Sequence, residues 1–144
     1  MSKKELNPNV SVDCVIFGFD LEQLYVLLID SGSTESYNQA RMAVPGDLIY
    51  DTETLDEAAR RVLKELTGIE NIYLEQIGAF GDPDRIGKKA SDRKWLESIR
   101  AMPEARVITV AYYSLVRMPN FNPKASSFAK SAGWAPVKEV HDLA

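Results

Sequence analysis

The sequence predicts an α/β fold in which a mixed β-sheet carries helices against its faces. Three observations support this prediction. Short runs rich in β-branched and aromatic residues recur along the chain and are typical of strands. One segment instead carries apolar residues at spacings of three and four, which indicates an amphipathic helix. The length of 144 residues suits one domain, here residues 1–144, with a sizeable core.

Two strands joined by a tight turn are predicted near the start of the chain. Residues 10–19 (VSVDCVIFGF) are β-branched and aromatic, with apolar side chains alternating from Val10 onward. Residues 20–23 are typical of a turn, and residues 24–29 (LYVLLI) form a nearly continuous apolar run. This pattern predicts an antiparallel hairpin. Residues 31–40 are polar and turn-rich, which predicts a surface loop.

A Pro-Gly turn at residue 45 is followed by a short strand, a loop and a capped helix. Thr54 with Glu57 three residues later matches the capping box, in which each side chain satisfies the other's backbone N–H group. Gly68 can end the helix in a left-handed conformation. Glu57 and Arg61, four residues apart, predict a side-chain ion pair. The apolar stripe of the helix consists of Leu55, Ala58, Ala59, Val62, Leu63 and Leu66.

Three further strands are predicted where β-forming residues recur, at residues 72–80, 107–116 and 132–137. The run VITVAYYSLV at 107–116 is expected at the centre of the sheet. Residues 85–105 resemble an insertion, within which residues 91–102 predict a short helix that Pro103 ends. A final helix is predicted to begin at residue 138.

Composition excludes several classes of protein. No apolar run approaches the ~20 residues needed to cross a bilayer. The first residues lack the apolar core of a signal peptide, so a cytoplasmic location is expected. Cys14 is the only cysteine and His141 the only histidine, so neither an internal disulfide nor a zinc site is expected. Cys14 lies in an apolar strand pattern, which predicts a buried and inert thiol.

The net charge of −4 argues against bulk electrostatic binding of nucleic acid by this chain. One local exception lies between Arg85 and Arg100, where six basic residues accompany two acidic ones. This segment is either a solvated loop surface or a contact for an anion such as phosphate.

Residues 45–69 (PGDLIYDTETLDEAARRVLKELTGI) resemble the Nudix box, the motif that defines the Nudix hydrolase family. That motif runs Gly, five residues, Glu, seven residues and then Arg-Glu-U-x-Glu-Glu-x-Gly-U, in which U is a bulky aliphatic residue. The matching residues are Glu53, Arg61, Leu63, Glu65, Gly68 and Ile69. Three positions differ, because Asp47 replaces the first Gly and Val62 and Leu66 replace two of the glutamates.

In the Nudix family the glutamates of this helix bind a divalent metal, usually magnesium, which bridges a diphosphate and activates water. Positions 62, 65 and 66 share one helix face, so three carboxylates there would form the oxygen site that magnesium prefers. Here only Glu65 remains as a candidate metal ligand. The alternative is that Val62 and Leu66 extend the apolar stripe into the core, which is the interpretation we favour.

More of the chain resembles the Nudix-related transcriptional regulators of bacteria. The resembling stretches are VDCVIFGF, LDEAARRVLKELTG, IYLEQIGAFGDPDR, EARVITVAYYSLV and WAPVKEVHDLA. In those regulators the Nudix domain, an α-β-α sandwich, has commonly lost catalytic glutamates and senses an ADP-ribose derivative or a sugar. The resemblance implies a small-molecule effector, no required cofactor and a homodimer. It also implies that DNA is bound only by a winged-helix domain that would begin beyond Ala144.

The resemblance and the local chemistry together select seven candidate ligand-binding residues: Gly46, Asp47, Phe80, Asp82, Arg85, Arg106 and Tyr113. Arginines at strand or loop ends are suited to bidentate contacts with phosphate or a sugar diol, and aromatic rings can stack on a base or sugar. The alternative for the two arginines is a surface ion pair with a nearby carboxylate. Tyr112 and Tyr113 are neighbours on a strand and face opposite sides, so one of them is expected in the core.

Three functions remain as hypotheses. The favoured one is a non-catalytic, effector-sensing Nudix domain of a bacterial transcriptional regulator. The second is a magnesium-dependent hydrolase of nucleoside-diphosphate-linked compounds such as ADP-ribose. Its candidate catalytic residues are Glu53, Arg61 and Glu65, and an outside carboxylate such as Asp82 or Asp84 would complete the metal site. The third is a protein-interaction module that uses the sandwich as a scaffold. The missing glutamates favour the first over the second.

Overall fold

The computed structural model describes residues 5–30, 42–82, 106–124 and 131–140. These residues form seven strands and two α-helices. In chain order they are β1 (Leu6–Phe19), β2 (Leu24–Asp30), β3 (Met42–Ala43), β4 (Gly46–Tyr50), α1 (Leu55–Thr67), β5 (Glu75–Phe80), β6 (Ile108–Arg117), a 3₁₀ turn (Met118–Asn120), β7 (Ser131–Pro136) and α2 (Val137–Val140). The helix predicted at 91–102 lies outside the described residues. Neither described helix is long and apolar enough to span a membrane.

The predicted mixed sheet is confirmed. Its strand order is β3-β2-β1-β6-β5, with β4 also paired to β1 and β7 also paired to β2. The two long strands β1 and β6 run parallel, from the pair Val10–Ile108 to the pair Phe19–Arg117. The other pairings are antiparallel, including the predicted hairpin between β1 and β2. The position of β6 inside the sheet agrees with its continuous apolar sequence.

Strand β1 begins at Leu6, four residues earlier than the sequence predicts. The early part pairs with β4, where Leu6 lies opposite Tyr50 and Ser11 lies opposite Leu48. The register shifts between Leu6 and Ser11, and Pro8 lies within this irregularity. Proline is tolerated at such a place because no ladder hydrogen bond is required of its nitrogen. The additional residues of β1 depend on pairing with β4, which residues 6–9 alone do not predict.

Helix α1 packs on one face of the sheet and builds the main core. Alternate residues of β1 and β6 face it, and the buried cluster consists of Val12, Cys14, Ile16, Val110, Tyr112, Ala58, Ala59, Val62, Leu63 and Leu66 with their neighbours. Cys14 donates a weak hydrogen bond to the carbonyl of Ala59 at 3.4 Å. Burial, followed by the nearby charge of Asp13, raises the pKa of the Cys14 thiol to about 12. The predicted buried thiol is confirmed, and it stays protonated at neutral pH.

The ends of α1 are as predicted. Thr54 accepts a hydrogen bond from the Glu57 N–H, and the Glu57 carboxylate accepts one from the Thr54 N–H, both at 3.1 Å. Gly68 ends the helix in the left-handed region with φ of 75°. The predicted pair of Glu57 with Arg61 is wrong, because the Glu57 carboxylate caps the helix and Arg61 turns to Glu53 and Glu65 instead.

Candidate functional site

The guanidinium of Arg61 joins helix α1 to the loop and strand that precede it. Its Nε and Nη2 donate to the Glu53 carboxylate at 3.0 and 2.7 Å. Its Nη2 also donates to the carbonyl of Leu48 on β4 at 3.1 Å. Nη1 donates to Glu65, one turn further along the helix, at 3.1 Å. One arginine therefore links helix α1, the loop before it and strand β4.

The Arg61–Glu53 pair of this cluster is largely closed to water. The side chains of Arg61 and Glu53 are 18% and 11% exposed. The Arg61 guanidinium also lies over the ring of Tyr50, 4.3 Å from its centroid, and Glu53 accepts the Tyr50 N–H at 2.8 Å. Burial acts to lower the pKa of Arg61, but the hydrogen bonds and negative charges of Glu53 and Glu65 outweigh it and raise that pKa. Arg61 is a permanent cation.

The residues at the box positions do not fit a magnesium ion. Val62 and Leu66, which occupy two of the family's glutamate positions, are 1% and 2% exposed and belong to the core. The carboxylate of Glu65 is about half exposed and is already paired with Arg61. Within residues 5–30, 42–82, 106–124 and 131–140, no three His, Cys, Asp or Glu side chains are grouped so that they could hold a metal. Magnesium prefers several oxygen donors in octahedral geometry, which this donor set does not supply.

Gly46 and Asp47 lie at the start of β4, beside the box. Gly46 pairs with Asp13 of β1, and a Cβ atom on Gly46 would overlap the Asp13 carboxylate. The Asp47 carboxylate accepts the Leu48 N–H at 2.8 Å, so it is turned toward the backbone of β4. The neighbouring Asp13 side chain therefore requires glycine at this position.

Replacing Gly46 with alanine is expected to lower the free energy of unfolding by about 1–3 kcal/mol, since Asp13 or the backbone must move. Gly133 on β7 provides the matched control, because a Cβ added there meets no atom within 4 Å. The Gly133→Ala variant is expected to unfold within about 0.5 kcal/mol of the wild type. Urea unfolding followed by circular dichroism measures both. Equal losses in the two variants would contradict the role given to Asp13.

Phe80 and Tyr113 lie on the sheet face opposite α1. Phe80 pairs with Thr109, and Tyr113 pairs with Glu75 across the β5–β6 ladder. The Tyr113 hydroxyl donates to the Glu75 carboxylate at 2.8 Å, and this hydrogen bond, with the Glu75 charge and burial, raises the pKa of Tyr113. Both rings are partly exposed. Their availability for stacking on a ligand stays a prediction.

Tyr112 points to the other face and is the core member of the tyrosine pair, as predicted. Its hydroxyl donates to Asp56 at 2.7 Å and lies 3.4 Å from the side-chain oxygen of Gln76. Burial, followed by the hydrogen bond to Asp56, raises the pKa of Tyr112 well above its ordinary value. This link between the start of α1 and β5 could not be predicted from the sequence, because its members are far apart in the chain.

Arg106 lies where the chain enters β6. Its Nε and Nη2 donate to the carbonyl of Gly81 at 3.2 and 2.6 Å, and its own carbonyl accepts the Asn9 side-chain amide at 2.8 Å. The guanidinium thus holds the end of β5 next to the start of β6, with Asp82 one residue beyond. The other predicted arginine, Arg85, lies outside the described residues.

The predicted residues form two groups rather than one. The first contains the Arg61 cluster with Gly46 and Asp47 on β4. The second contains Phe80, Asp82 and Arg106 at the end of β5, with Tyr113 further along β6. Strand β1 separates the groups, since it pairs with β4 on one side and β6 on the other. The contacts of Leu48 and Tyr50 with Arg61 were not predicted from the sequence. No sequence motif indicates that a backbone carbonyl or an aromatic ring will lie against an arginine.

A surface pocket of about 230 Å³ lies between α1 and the segment that leads to β5. It is lined by Arg60, Arg61, Leu63, Lys64, Ile69, Glu70, Asn71, Ile72 and Leu74. It shares Arg61 with the box cluster and no residue with the group at β5 and β6. Its other cations have protein partners: Lys64 pairs with Glu70 at 3.2 Å, and Arg60 donates to the Ile72 carbonyl at 3.0 Å. We therefore do not assign the candidate ligand site to this pocket.

The fold and the box together define a Nudix-type α/β domain. Comparison with known families agrees, since the NUDIX domain profile matches residues 7–144. The chain belongs to the NUDIX domain family.

Among curated proteins, the chain is similar to the ADPR responsive transcriptional repressor NtrR of Acinetobacter baylyi. The two are 33% identical over 140 residues, which cover 95% of this chain and 48% of that protein. The chain therefore spans about half the length of this curated relative.

Two solved structures have the same fold. A MutT/nudix family protein from Enterococcus faecalis is 26% identical with a TM-score of 0.68, and the match covers 94% of this chain and 46% of that one. The NUDIX domain of Shewanella oneidensis NrtR, solved with ADP ribose, is 22% identical with a TM-score of 0.69, over 96% of this chain and 79% of that one. This second likeness is evidence for the fold alone.

Proposed function

We propose that this chain is the effector-sensing NUDIX domain of a bacterial transcriptional regulator, and that it binds an ADP-ribose-like or sugar effector without hydrolysing it. The observation that carries the proposal is the burial of Val62 and Leu66 at positions where the family places metal-binding glutamates. Without those carboxylates the helix presents no oxygen cluster to a cation. Hydrolysis of a diphosphate by the family's metal-assisted route requires such positioned ligands.

The Arg61 cluster gives the box a structural role. Three carboxylate–guanidinium contacts to Glu53 and one to Glu65 neutralise the Arg61 charge within the protein. A buried, hydrogen-bonded cluster of this kind holds the loop before α1 in one conformation. A rigid loop reduces the entropy lost when a ligand binds. In the proposed sensor, the Nudix box has the structural role of holding the loop before α1 in place.

The choice of effector is supported by the relative from Acinetobacter baylyi, which is described as ADPR responsive and is 33% identical to this chain. We propose that the effector is contacted by Gly46, Asp47, Phe80, Asp82, Arg85, Arg106 and Tyr113. Arg106 is exposed at a strand end and can offer N–H groups to a phosphate oxygen or a sugar diol. Asp47 disfavours a bare diphosphate close to β4, because like charges repel there.

The remaining properties of the whole protein follow the resemblance to those regulators. We propose a cytoplasmic homodimer in which a further domain, and not this one, binds DNA. The net charge of −4 supports a domain that makes no bulk electrostatic contact with nucleic acid.

A thermal-shift panel with ADP-ribose, NADH and several pentoses, each with and without magnesium, tests the proposal. A ligand that binds only the folded state adds about 2.7 kcal/mol to the free energy of unfolding when its concentration is a hundred times Kd, and so it raises the melting temperature. We expect one compound to produce a shift that is the same in EDTA and in magnesium, with no product formed. Metal-dependent release of AMP would overturn the proposal. The absence of any shift would favour the interaction-module hypothesis.

A further inference from the structure

The surface pocket between α1 and residues 69–74 has an apolar floor. Its buried lining residues are Leu63, Ile69 and Ile72, and Leu74 beside them is partly buried. The volume of about 230 Å³ equals the space that roughly seven or eight water molecules occupy in the liquid, at about 30 Å³ each. The pocket therefore has room for a compact organic molecule, and its floor favours a ligand with an apolar body.

The rim of the pocket is cationic. Arg60 and Lys64 both line it and lie one turn apart on α1, where like charges four residues apart repel each other. Arg61 also lines the pocket, but Glu53 and Glu65 already balance its charge. An anion placed between Arg60 and Lys64 would relieve the repulsion between them.

The present partners of these two cations leave room for a ligand. Lys64 pairs with Glu70 at 3.2 Å, and both side chains are more than half exposed, so the pair contributes little and is readily exchanged. Arg60 uses Nη1 for the carbonyl of Ile72 at 3.0 Å, and a guanidinium has five N–H groups in all. Among the described residues that line the pocket, Glu70 is the one carboxylate. A ligand carboxylate can therefore take the place of Glu70 beside Lys64.

We propose that this pocket binds a small organic anion, as a site separate from the candidate effector site. The anionic group of the ligand lies between Lys64 and Arg60 and replaces Glu70, which turns to solvent. The apolar body of the ligand rests on Leu63 and Ile72. The exposed cations supply the selectivity for charge, and the buried floor supplies the larger share of the affinity. A hydrophilic anion such as inorganic phosphate lacks that second contribution.

Titration of the full chain with benzoate, followed by amide NMR, tests this inference. We expect saturable shifts at the amides of residues 60–74, with a Kd in the millimolar range that is typical of so small a ligand. Benzamide has the same shape without the charge, and inorganic phosphate has charge without the ring. Each is expected to bind at least about fivefold more weakly than benzoate. Sodium chloride should weaken the benzoate complex, because it screens exposed charges.

Two variants should change the benzoate Kd in opposite directions. Lys64→Gln is expected to raise it about fivefold, whereas Glu70→Gln is expected to lower it about threefold by removing the competing carboxylate. The matched control is Lys138→Gln, the same charge change at an exposed position of α2, which should leave the Kd as in the wild type. Circular dichroism checks that all three variants stay folded.

The absence of saturable benzoate shifts at residues 60–74 would overturn the inference. Benzamide or phosphate binding as tightly as benzoate would also overturn it, and so would equal effects of Lys64→Gln and Lys138→Gln. A Glu70→Gln protein that binds benzoate no more tightly than the wild type would contradict the exchange with Glu70. No ADP-ribose-like compound enters these measurements, so failure of the proposed sensing function would leave their outcome unchanged.

Discussion

Replacing Leu66 with glutamate is expected to lower the free energy of unfolding by about 4 kcal/mol. Leu66 is 2% exposed and packs in the core beneath α1. The substitution removes that packing and places a carboxylate where it is poorly hydrated, and both effects destabilise the folded state. Urea unfolding at neutral pH, with and without magnesium, measures the change. The variant restores a glutamate of the family motif in sequence, but we expect no metal site from it.

The matched control is Leu21→Glu, the same substitution at a side chain that is 85% exposed. It is expected to change the free energy of unfolding by no more than about 0.5 kcal/mol. Two results would contradict the account of the box. One is a Leu66→Glu protein as stable as the control. The other is a Leu66→Glu protein that regains its stability when magnesium is added, since that would mean the helix face still forms a cation site.

Replacing Glu53 with glutamine is expected to lower the free energy of unfolding by about 3 kcal/mol. The change keeps the size of the side chain but leaves the Arg61 cation, which is 18% exposed, without its main counter-charge. Breaking a buried pair by removing one partner is costly, because the remaining charge is still desolvated. Glu53 also accepts the Tyr50 N–H, so the loop before α1 should loosen. Amide hydrogen exchange at Tyr50 provides a local measurement of that loosening.

Glu65→Gln is the control for this prediction. Glu65 pairs with the same arginine, but its side chain is 46% exposed. A solvated pair contributes about 0–1 kcal/mol and weakens further in salt. We therefore expect the Glu65→Gln effect to be small and to vanish at high ionic strength, while the Glu53→Gln effect persists. Equal and equally salt-sensitive effects would show that Arg61 is held as a surface ion pair.

The parts of the fold that depend on neighbouring residues were predictable from the sequence. Thr54, Glu57 and Gly68 define the ends of α1 because capping is decided within a few residues. The early start of β1 was not predictable, since it depends on pairing with β4 far along the chain. The partner of Arg61 was predicted wrongly for a related reason. Spacing brings Glu57 near Arg61, but it does not reveal that the Glu57 carboxylate is already used by the cap.

In the candidate site, too, features set by nearby residues were predicted and features set by distant residues were not. The motif identified Glu53, Arg61 and Glu65, and the structure joins all three. The apolar stripe also predicted correctly that Val62 and Leu66 lie in the core. The sequence did not indicate that the second group of candidates lies across β1 from the first, because strand order is a non-local property. Whether either group contacts an effector stays a prediction.

Phosphorus NMR of ADP-ribose mixed with the protein, first in EDTA and then in excess magnesium, tests the central claim most directly. The two phosphorus atoms of the ligand report binding through their shifts and line widths, and they report cleavage through new monophosphate signals. We expect both diphosphate resonances to shift or broaden in EDTA, and to remain as diphosphate signals with no monophosphate signal after magnesium is added. Replacement of those resonances by monophosphate signals only when magnesium is present would contradict the claim that this domain is a receptor.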